Sequence, residues 1–319
     1  MSELRDHAEV LLSRIQEVIL GKEQEVREVF LALAAGGNIL LEDIPGVGKT
    51  TLALCLAKLI DLDYKRVQFT PDVMPSDLTG FSVYRPQDGT FVYQKGSLFC
   101  QLLLADEINR TLPKTQSALL EAMEEKKVTV EGVTRTLPTP FFVIATQNVK
   151  NATGTMPLPE SQMDRFIISE SLGLPDYDSE LQLAMETTEE NRLARLDLTP
   201  CITAEEMLMI QKEAQQIFVQ EDVARYLLDL ITATRNDPYL ERGAGPRATI
   251  ALMRMARAAA WLKGREYVRP FDVAEQFPYV VRHRIAESRI AQMDHKNKDQ
   301  IIQEILDKIK TPTIRRSAR

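Results

Sequence analysis

The sequence predicts an α/β fold in which a parallel sheet is flanked by helices, followed by a second domain that is helical. Five short apolar runs predict the sheet, because strands that are covered on both faces are apolar at nearly every position. Two further segments alternate between apolar and polar residues around a tight turn, which is typical of β-hairpins. No strand-like run follows residue 177, so the rest of the chain is predicted to be helical.

The predicted elements follow one another in a regular order. Two helices come first, one with Leu11, Ile15 and Val18 at helical spacing and one over Glu23 to Ala34. The apolar runs are NILL, KRVQF, QLLLAD, FFVIAT and FIISESL, at residues 38–41, 65–69, 101–106, 141–146 and 166–172. The hairpin turns are predicted at Asp88–Gly89 and Glu131–Gly132. Helical segments between the apolar runs are expected to cover the sheet.

Domain boundaries are predicted where this pattern changes. At 319 residues the chain is long for a single compact core, so two domains are expected. We place a core at residues 1–174 and a helical domain at residues 175–310. Residues 311–319 contain few apolar side chains and are predicted to form a flexible basic tail.

Composition argues against several classes of protein. A net charge of −7 argues against a broad nucleic-acid-binding surface, which needs clustered Lys and Arg. The three cysteines are far apart and show no C-x-x-C spacing, so neither a zinc site nor a disulfide framework is expected. The first residues are charged and no apolar run is long enough to span a bilayer. We therefore expect a cytoplasmic protein without a membrane span.

The stretch LLEDIPGVGKTTLA, residues 40–53, has the form of a phosphate-binding loop between a strand and a helix. The pattern G-x-x-x-x-G-K-[ST] is met at Gly48, Lys49 and Thr50, but Asp43 occupies its first position. The glycines of the loop let its backbone N–H groups approach a phosphate. Lys49 would reach the β- and γ-phosphates, and Thr50 would offer a hydroxyl to Mg²⁺. The alternative is a glycine turn before an ordinary helix.

Three polar residues follow two of the apolar runs. Asp106 and Glu107 end the run in LLLADEINR. A carboxylate at a strand end beside a phosphate-binding loop can hold the magnesium shell, and a second can polarise the attacking water. Asn148 ends the run in FFVIATQN and is placed to orient that water if the strands are neighbours. The alternatives are a solvated loop start and an ordinary strand-end asparagine.

Two arginines stand out further along the chain. Arg165 lies in the charged turn LPESQMDRF, and Arg247 lies in the first turn of a predicted helix in GAGPRATIALMRMARAAAWL. The helix dipole disfavours a cation at a helix start, so an anionic group is expected near Arg247. That group is either a nearby acidic side chain or a bound phosphate.

These segments together resemble the MoxR family of AAA+ ATPases. The resemblance is carried by ILLEDIPGVGKT, QFTPDVMPSDLTG, LLLADEINRTLPKTQSALLEAMEEKKVTVEG, ATQN, LPESQMDRF, GAGPRA and the segment from GREYVRPFDV to RHRI. They span nearly all of the chain from Gly21 to Ile285 with order and spacing intact. The resemblance implies an AAA+ αβα core with a five-stranded parallel sheet and inserted hairpins, followed by a helical lid.

The resemblance also implies roles for individual residues, with ATP and Mg²⁺ as cofactors. The implied catalytic residues are Glu107 of Walker B, Asn148 as sensor 1, Arg165 as an arginine finger reaching a neighbouring subunit, and Arg247 as sensor 2. The residues implied to bind ATP are Ile19 and Gly21, in the segment from Val18 that packs round adenine, and Gly46, Val47, Gly48, Lys49, Thr50 and Thr51 of Walker A. Thr50 and Asp106 are implied to hold the Mg²⁺ ion. Arg110 is a second candidate for an arginine that acts across the interface, and whether Arg247 acts in its own subunit stays open.

The chain departs from the family pattern at a few positions. After Asn148 it has VKNA where the family commonly has Pro-Ile-Glu-Gln, and it has Gly96–Ser97 and Gly245 where Gly-Pro and Ser are usual. At the first loop position Asp43 is expected to point toward solvent or to pair with a nearby basic residue. Asp43→Gly is therefore expected to leave nucleotide binding largely intact, whereas Lys49→Ala is expected to abolish it.

Three functions are compatible with these features. The leading hypothesis is a ring-forming ATPase, expected to be a hexamer, that remodels or matures a protein partner. The resemblance implies that this partner often has a von Willebrand factor A domain, with a role in metal-cofactor insertion. A second hypothesis is an ATP-gated interaction module with little turnover. A third is a DNA motor, against which the acidic charge weighs.

Overall fold

The computed structural model describes residues 2–148, 158–185 and 198–312. The strands are β1 (Ile39–Glu42), β2 (Tyr64–Gln68), β3 (Gly80–Arg85), β4 (Thr90–Lys95), β5 (Leu102–Asp106), β6 (Lys127–Val130), β7 (Val133–Thr136), β8 (Phe142–Gln147), β9 (Ile168–Glu170), β10 (Leu240–Arg242) and β11 (Ala286–Glu287). The helices are α1 (Ser2–Val18), α2 (Glu23–Ala34), α3 (Lys49–Leu59), α4 (Pro75–Thr79), α5 (Pro113–Glu125), α6 (Glu160–Met163), α7 (Tyr177–Met185), α8 (Ala204–Gln216), α9 (Glu221–Asn236), α10 (Pro246–Leu262), α11 (Pro270–Val281), α12 (Arg289–Met293) and α13 (Lys298–Lys308).

The core is a five-stranded parallel sheet in the order β2-β5-β8-β1-β9. Each strand arises from one of the five predicted apolar runs, so the predicted α/β fold is confirmed. β5 and β8 are buried at every position, as expected for strands with helices on both faces. β9 is shorter than its run, because Phe166 lies in a turn in which its N–H donates to the carbonyl of Met163.

Both predicted hairpins are present. β3 pairs with β4 and β6 pairs with β7, each in antiparallel register. Their turns contain Gly89 at φ 62° and Gly132 at φ 77°, a backbone conformation that glycine adopts without steric cost.

Alternate residues of the strands pack into two different hydrophobic clusters. On β5, Leu102 and Leu104 face the cluster that contains α1, α2, α3 and the later helices, whereas Leu103 and Ala105 face the cluster with α5. This alternation follows from the two-residue period of a strand, which points successive side chains to opposite faces of the sheet. The sheet is therefore sandwiched between helical layers, and its carboxyl edge is left for the loops.

The chain beyond residue 177 is mainly helical in the described residues, as predicted. A short antiparallel ribbon of β10 and β11 was not predicted, because strands of three and two residues are too short to show an alternating pattern. The boundary between residues 174 and 175 stays a prediction. The predicted tail, 311–319, lies outside the described residues from residue 313 onward.

A buried arginine joins the sheet to the later helices. Arg284 is 5% exposed, and its Nε donates to Oδ1 of Asp164 at 2.7 Å while its Nη1 donates to the carbonyl of Ile167 at 3.0 Å. The guanidinium also donates to the carbonyls of Phe166 and Val280. One side chain thus satisfies backbone acceptors on both sides of this joint.

The cysteines and the helix compositions bear on two further features of the sequence. Cys55 and Cys100 are buried free thiols. Among the described residues, no helix combines the length and the apolar composition that crossing a bilayer requires.

Candidate nucleotide-binding site

The phosphate-binding loop lies between the end of β1 and the start of α3. Gly46 and Gly48 have φ angles of 91° and 97°, in the left-handed region that residues with a Cβ rarely adopt. A Cβ added at Gly46 would meet nothing within 4 Å, so the backbone angle rather than space demands glycine there. The first helical residue is Lys49, so free N–H groups at the start of α3 face the loop.

Lys49 is held by the loop itself. Its Nζ donates to the carbonyl of Ile44 at 2.8 Å and to that of Asp43 at 3.2 Å. Burial lowers the pKa of Lys49, and the carboxylates of Asp43, Asp106 and Glu107 oppose this shift. The ammonium is therefore surrounded by oxygen atoms, which is the environment that phosphate oxygens would also provide.

A buried threonine organises the two acidic residues at the end of β5. The hydroxyl of Thr146 donates to Oδ1 of Asp106 at 2.6 Å and accepts from the N–H of Glu107 at 2.9 Å. Thr146 is 1% exposed and lies on β8, the strand next to β5. Glu107 has φ 57°, so the chain turns sharply after Asp106 and the two carboxylates diverge. Thr146 was not predicted from the sequence, because its only signal is its place near the end of a strand beside the acidic one.

Each carboxylate also has an arginine partner. Nη2 of Arg66, on the edge strand β2, donates to Oδ2 of Asp106 at 2.7 Å, and Nη1 of Arg110 donates to Oε2 of Glu107 at 2.6 Å. Both guanidiniums are about half exposed, at 47%. Arg66 was also not predicted: it lies on an edge strand whose residues are only half-buried or exposed, so its charge did not distinguish it from an ordinary surface cation.

These groups line one cavity of about 390 Å³ at the carboxyl edge of the sheet. Its lining residues include Gly46, Gly48, Lys49, Thr50, Thr51, Arg66, Gln68, Asp106, Glu107, Thr146 and Asn148. The structure thus brings together most of the predicted phosphate, metal and catalytic residues. The Thr50 hydroxyl and the Asp106 carboxylate share this cavity, and oxygen donors of this kind suit Mg²⁺. Oδ1 of Asp106 accepts from Thr146 and Oδ2 accepts from Arg66, and each carboxylate oxygen has a second lone pair, so the donor set fits the ion.

A second cavity of about 270 Å³ lies on the other side of the loop. It is lined by Val18, Ile19, Leu20, Lys22, Gly46, Val47, Gly48, Thr51, Pro175 and Leu183. Its lining is more apolar than that of the first cavity, as a base-binding pocket requires. The predicted adenine residue Ile19 lines it. Gly21 does not belong to the lining, but its φ of 65° allows the turn between α1 and α2.

Arg165 and Arg247 lie elsewhere, around one shared carboxylate. Arg165 pairs with Oε2 of Glu124 at 2.8 Å, and Nη2 of Arg247 donates to Oε1 of the same residue at 2.5 Å. Neither arginine lines the loop cavity of its own chain. Both line a third cavity of about 340 Å³ with Lys126 and Arg254. Of the two anions considered for Arg247, the structure therefore shows an acidic side chain.

Asp43 does not point toward solvent, and among the described residues no basic side chain is hydrogen-bonded to its carboxylate, so that expectation was wrong. It is 6% exposed, and its carboxylate accepts from the N–H of Leu172 at 2.5 Å, the N–H of Gly173 at 3.2 Å and the hydroxyl of Ser171 at 3.0 Å. The acid at the first loop position is thus bonded to the segment that follows β9.

Comparison with known proteins identifies the family. A sequence model described as "ATPase family associated with various cellular activities (AAA)" matches residues 38–168, and one described as "AAA lid domain" matches residues 232–305. "Chaperone MoxR1" from Mycobacterium tuberculosis is 34% identical over 314 residues, covering 94% of this chain and 81% of that protein. The chain belongs to the MoxR family of AAA+ ATPases.

Two further similarities extend over nearly the whole of this MoxR-family chain. "Uncharacterized protein YeaC" from Bacillus subtilis is 41% identical over 308 residues, covering 97% of this chain and 96% of that protein. A crystal structure of a putative ATPase from Cytophaga hutchinsonii superposes with a TM-score of 0.88 at 36% identity, covering 97% of this chain and 96% of that one.

Two positions at which the chain departs from the MoxR pattern differ in what the structure shows of them. VKNA, after Asn148, lies outside the described residues. The carbonyl of Asn148 itself accepts from Nδ2 of Asn109 at 3.5 Å. Gly245 is the residue before α10, with φ −82°, and an added Cβ would meet nothing within 4 Å. A serine would therefore fit there, and its replacement by glycine leaves the backbone of this turn unchanged.

Proposed function

We propose that this chain hydrolyses ATP with Mg²⁺ in the loop cavity and couples hydrolysis to chaperone-like remodelling or maturation of a protein partner. The observation that carries the proposal is the convergence of Lys49, Thr50, Asp106, Glu107 and Asn148 on one cavity at the carboxyl ends of parallel strands. Ligands bind at this edge in open α/β sheets. Membership in a family of ATPases supports the same conclusion.

Each side chain has a defined part in this proposal. The N–H groups of the glycine loop and Lys49 bind the phosphates, and Lys49 exchanges its loop carbonyl partners for phosphate oxygens. Thr50 and Asp106 hold Mg²⁺, which when bound neutralises charge on the β- and γ-phosphates. Glu107 and Asn148 orient the attacking water. Arg110 engages one oxygen of the Glu107 carboxylate, which keeps further lone pairs with which it can accept a hydrogen bond from water.

The positions of Arg165 and Arg247 favour action on a neighbouring subunit. Both guanidiniums are partly exposed around Glu124, at 27% and 51%, and neither lines the loop cavity of its own chain. We propose that both reach the nucleotide of an adjacent copy in a ring, with a hexamer as the expected size. Arg110 does not line the loop cavity but donates to Glu107, which does, and it is the further candidate for this interface.

The partner class rests on the family. One relative is named a chaperone, which supports a protein client, and the resemblance to MoxR proteins supports a client with a von Willebrand factor A domain and metal-cofactor insertion. The hypothesis of an ATP-gated module with little turnover rested partly on Asp43 in the loop. That argument is weaker because the Asp43 carboxylate is hydrogen-bonded within the fold. The net charge of −7 weighs against the DNA motor.

The test is the Glu107→Gln variant, compared with Glu121→Gln, which removes an exposed carboxylate from α5. Glu107→Gln is expected to bind ATP but to hydrolyse it at least about 100-fold more slowly, because the group that polarises water is lost. Glu121→Gln should hydrolyse ATP at the wild-type rate. Affinity capture with Glu107→Gln in ATP should then retain a partner protein. Ordinary turnover by Glu107→Gln would contradict the proposal.

A further inference from the structure

Asp43 occupies a position that the pattern of phosphate-binding loops gives to glycine, yet its carboxylate is nearly fully bonded. It directly follows β1 and precedes the loop. Oδ2 accepts from the N–H of Leu172 at 2.5 Å, Oδ1 accepts from the hydroxyl of Ser171 at 3.0 Å, and the N–H of Gly173 lies 3.2 Å from Oδ1 and 3.3 Å from Oδ2. Hydrogen bonds to an ionised acceptor are about twice as strong as neutral ones, so this contact holds the segment firmly.

The segment that Asp43 binds leads directly to the second cavity. It runs from the end of β9 at Glu170 to the start of α7 at Tyr177, and Pro175 within it lines that cavity. A second contact comes from Lys22, whose Nζ donates to the carbonyl of Leu174 at 2.8 Å. Lys22 itself lines the second cavity. One wall of this cavity is therefore placed by two polar contacts, and Asp43 makes the one on the loop side.

The main chain of Asp43 faces the opposite way, toward the phosphate site. Its carbonyl accepts from Nζ of Lys49, while the N–H of Asp43 donates to the carbonyl of Gln147 at 3.2 Å. A single residue thus contacts the lysine of the loop through its backbone and the wall of the second cavity through its side chain. Glycine at this position would keep the first contact and lose the second. The expectation that Asp43→Gly leaves nucleotide binding largely intact assumed a solvent-facing or ion-paired carboxylate, and the bonds of this carboxylate replace it with the prediction below.

We infer that Asp43 is a positioning residue that sets the wall of the second cavity against the phosphate loop, so that one nucleotide can occupy both cavities. The inference rests on the proposed function only in taking a nucleotide as the ligand. Binding of the phosphates depends on Lys49 and the loop N–H groups, which Asp43 does not replace. Binding of the base depends on the distance between the two cavities, which Asp43 determines.

Two ligands separate these contributions. ATP occupies both cavities, whereas inorganic tripolyphosphate can use only the phosphate loop. Each is measured by displacement of a fluorescent ATP analogue from the full chain in the presence of Mg²⁺. Asp43→Ala is expected to weaken ATP at least about tenfold and tripolyphosphate less than about threefold, since hydrogen bonds from two N–H groups and a hydroxyl to a charged acceptor are lost. In the hydrolysis assay the same variant should raise KM more than it lowers kcat.

The matched control is Glu42→Gln, one residue earlier on β1. The Glu42 carboxylate accepts from Nε2 of Gln147 and the hydroxyl of Ser169, both within the sheet, so the ratio of the two affinities should stay at the wild-type value. Ser171→Ala removes one bond to Asp43 and should weaken ATP by a smaller factor in the same direction. If Asp43→Ala does not fold, Asp43→Asn, which keeps one acceptor oxygen, is measured by the same ratio.

Equal losses for ATP and tripolyphosphate would overturn the inference, because Asp43 would then shape the phosphate loop itself. An unchanged affinity for ATP would overturn it as well. The assay measures binding, so a wild-type chain that binds ATP without hydrolysing it would contradict the proposed function and leave the ratio to decide the role of Asp43.

Discussion

Two arginines that are two residues apart offer a direct test of how the joint between sheet and lid is stabilised. Arg284 is buried, pairs with Asp164 at 2.7 Å and donates to backbone carbonyls that include that of Ile167. Arg282 pairs with Asp299 at 2.8 Å, but the two side chains are 34% and 64% exposed. The two ion pairs have similar distances, but one arginine is buried and the other is about one-third exposed. Comparing the loss of unfolding free energy on substitution of each arginine by methionine should therefore isolate the effect of burial.

The expected losses differ severalfold. Arg284→Met removes one partner of a buried ion pair and leaves carbonyl groups without donors, which costs about 3 to 5 kcal/mol of unfolding free energy. The several carbonyl bonds of Arg284 place the expected loss toward the upper end of that range. Arg282→Met removes an ion pair that water screens, so the expected loss is about 0 to 1 kcal/mol.

The chain carries its own probe for this measurement. It has a single tryptophan, Trp261, which is 3% exposed on α10 and donates through its indole N–H to Oε2 of Glu213 at 2.8 Å. Urea unfolding followed by Trp261 fluorescence, with circular dichroism as a check on two-state behaviour, gives the free energy for each variant. A loss below about 1 kcal/mol for Arg284→Met, or equal losses for both variants, would refute the reasoning.

Two further substitutions test buried polar groups. Burial raises the pKa of Glu28 from 4.5 to about 8, so the folded state keeps a proton that the unfolded state releases above pH 4.5, and stability falls as pH rises from 4.5 to 8. Glu28→Gln does not titrate and should therefore show a melting-temperature advantage over wild type that grows across that pH range; a constant difference would contradict this. Thr146→Val removes the hydroxyl between Asp106 and the N–H of Glu107 and should cost about 2 to 4 kcal/mol in urea unfolding. Thr129→Val, at an exposed hairpin pair, should stay within about 0.5 kcal/mol, and similar losses for both threonines would argue against the buried role of Thr146.

The parts of the fold that sequence could predict are those with a local signal. Strands such as β5 and β8 are buried at every position because helices cover both faces, which gives them a mainly apolar sequence. The hairpins are indicated by a glycine in the turn, where the structure has a positive φ. The acids Asp106 and Glu107 could be placed beside the phosphate loop because parallel strands end at a common edge. The ribbon of β10 and β11 carries no such signal in strands of three and two residues.

The contacts that sequence could not supply join residues far apart in the chain. Asp43 and the residues that donate to its carboxylate, 171–173, are separated by 128 to 130 positions, so nothing local distinguishes a buried carboxylate there from a solvated one. Thr146 and Arg66 become part of the site only through the register of neighbouring strands. The register of paired strands is set by the packing of the whole sheet, not by the individual side chains that it brings into the site.

Positive charge exceeds negative charge around Glu124, on the surface that carries Arg165 and Arg247. Glu124 pairs with two guanidiniums, and Lys126 and Arg254 line the same cavity. The second carboxylate of this lining, Asp164, pairs with Arg284, which also lines it. Burial, with a contribution from Arg254, lowers the pKa of Lys126 to about 8, so the ammonium there is already costly to keep charged. An anion supplied from outside the chain would relieve this excess and would favour proton uptake by Lys126 in alkaline solution. Among the described residues that line this cavity, cations outnumber carboxylates, so it is a place where a bound anion would be stabilised.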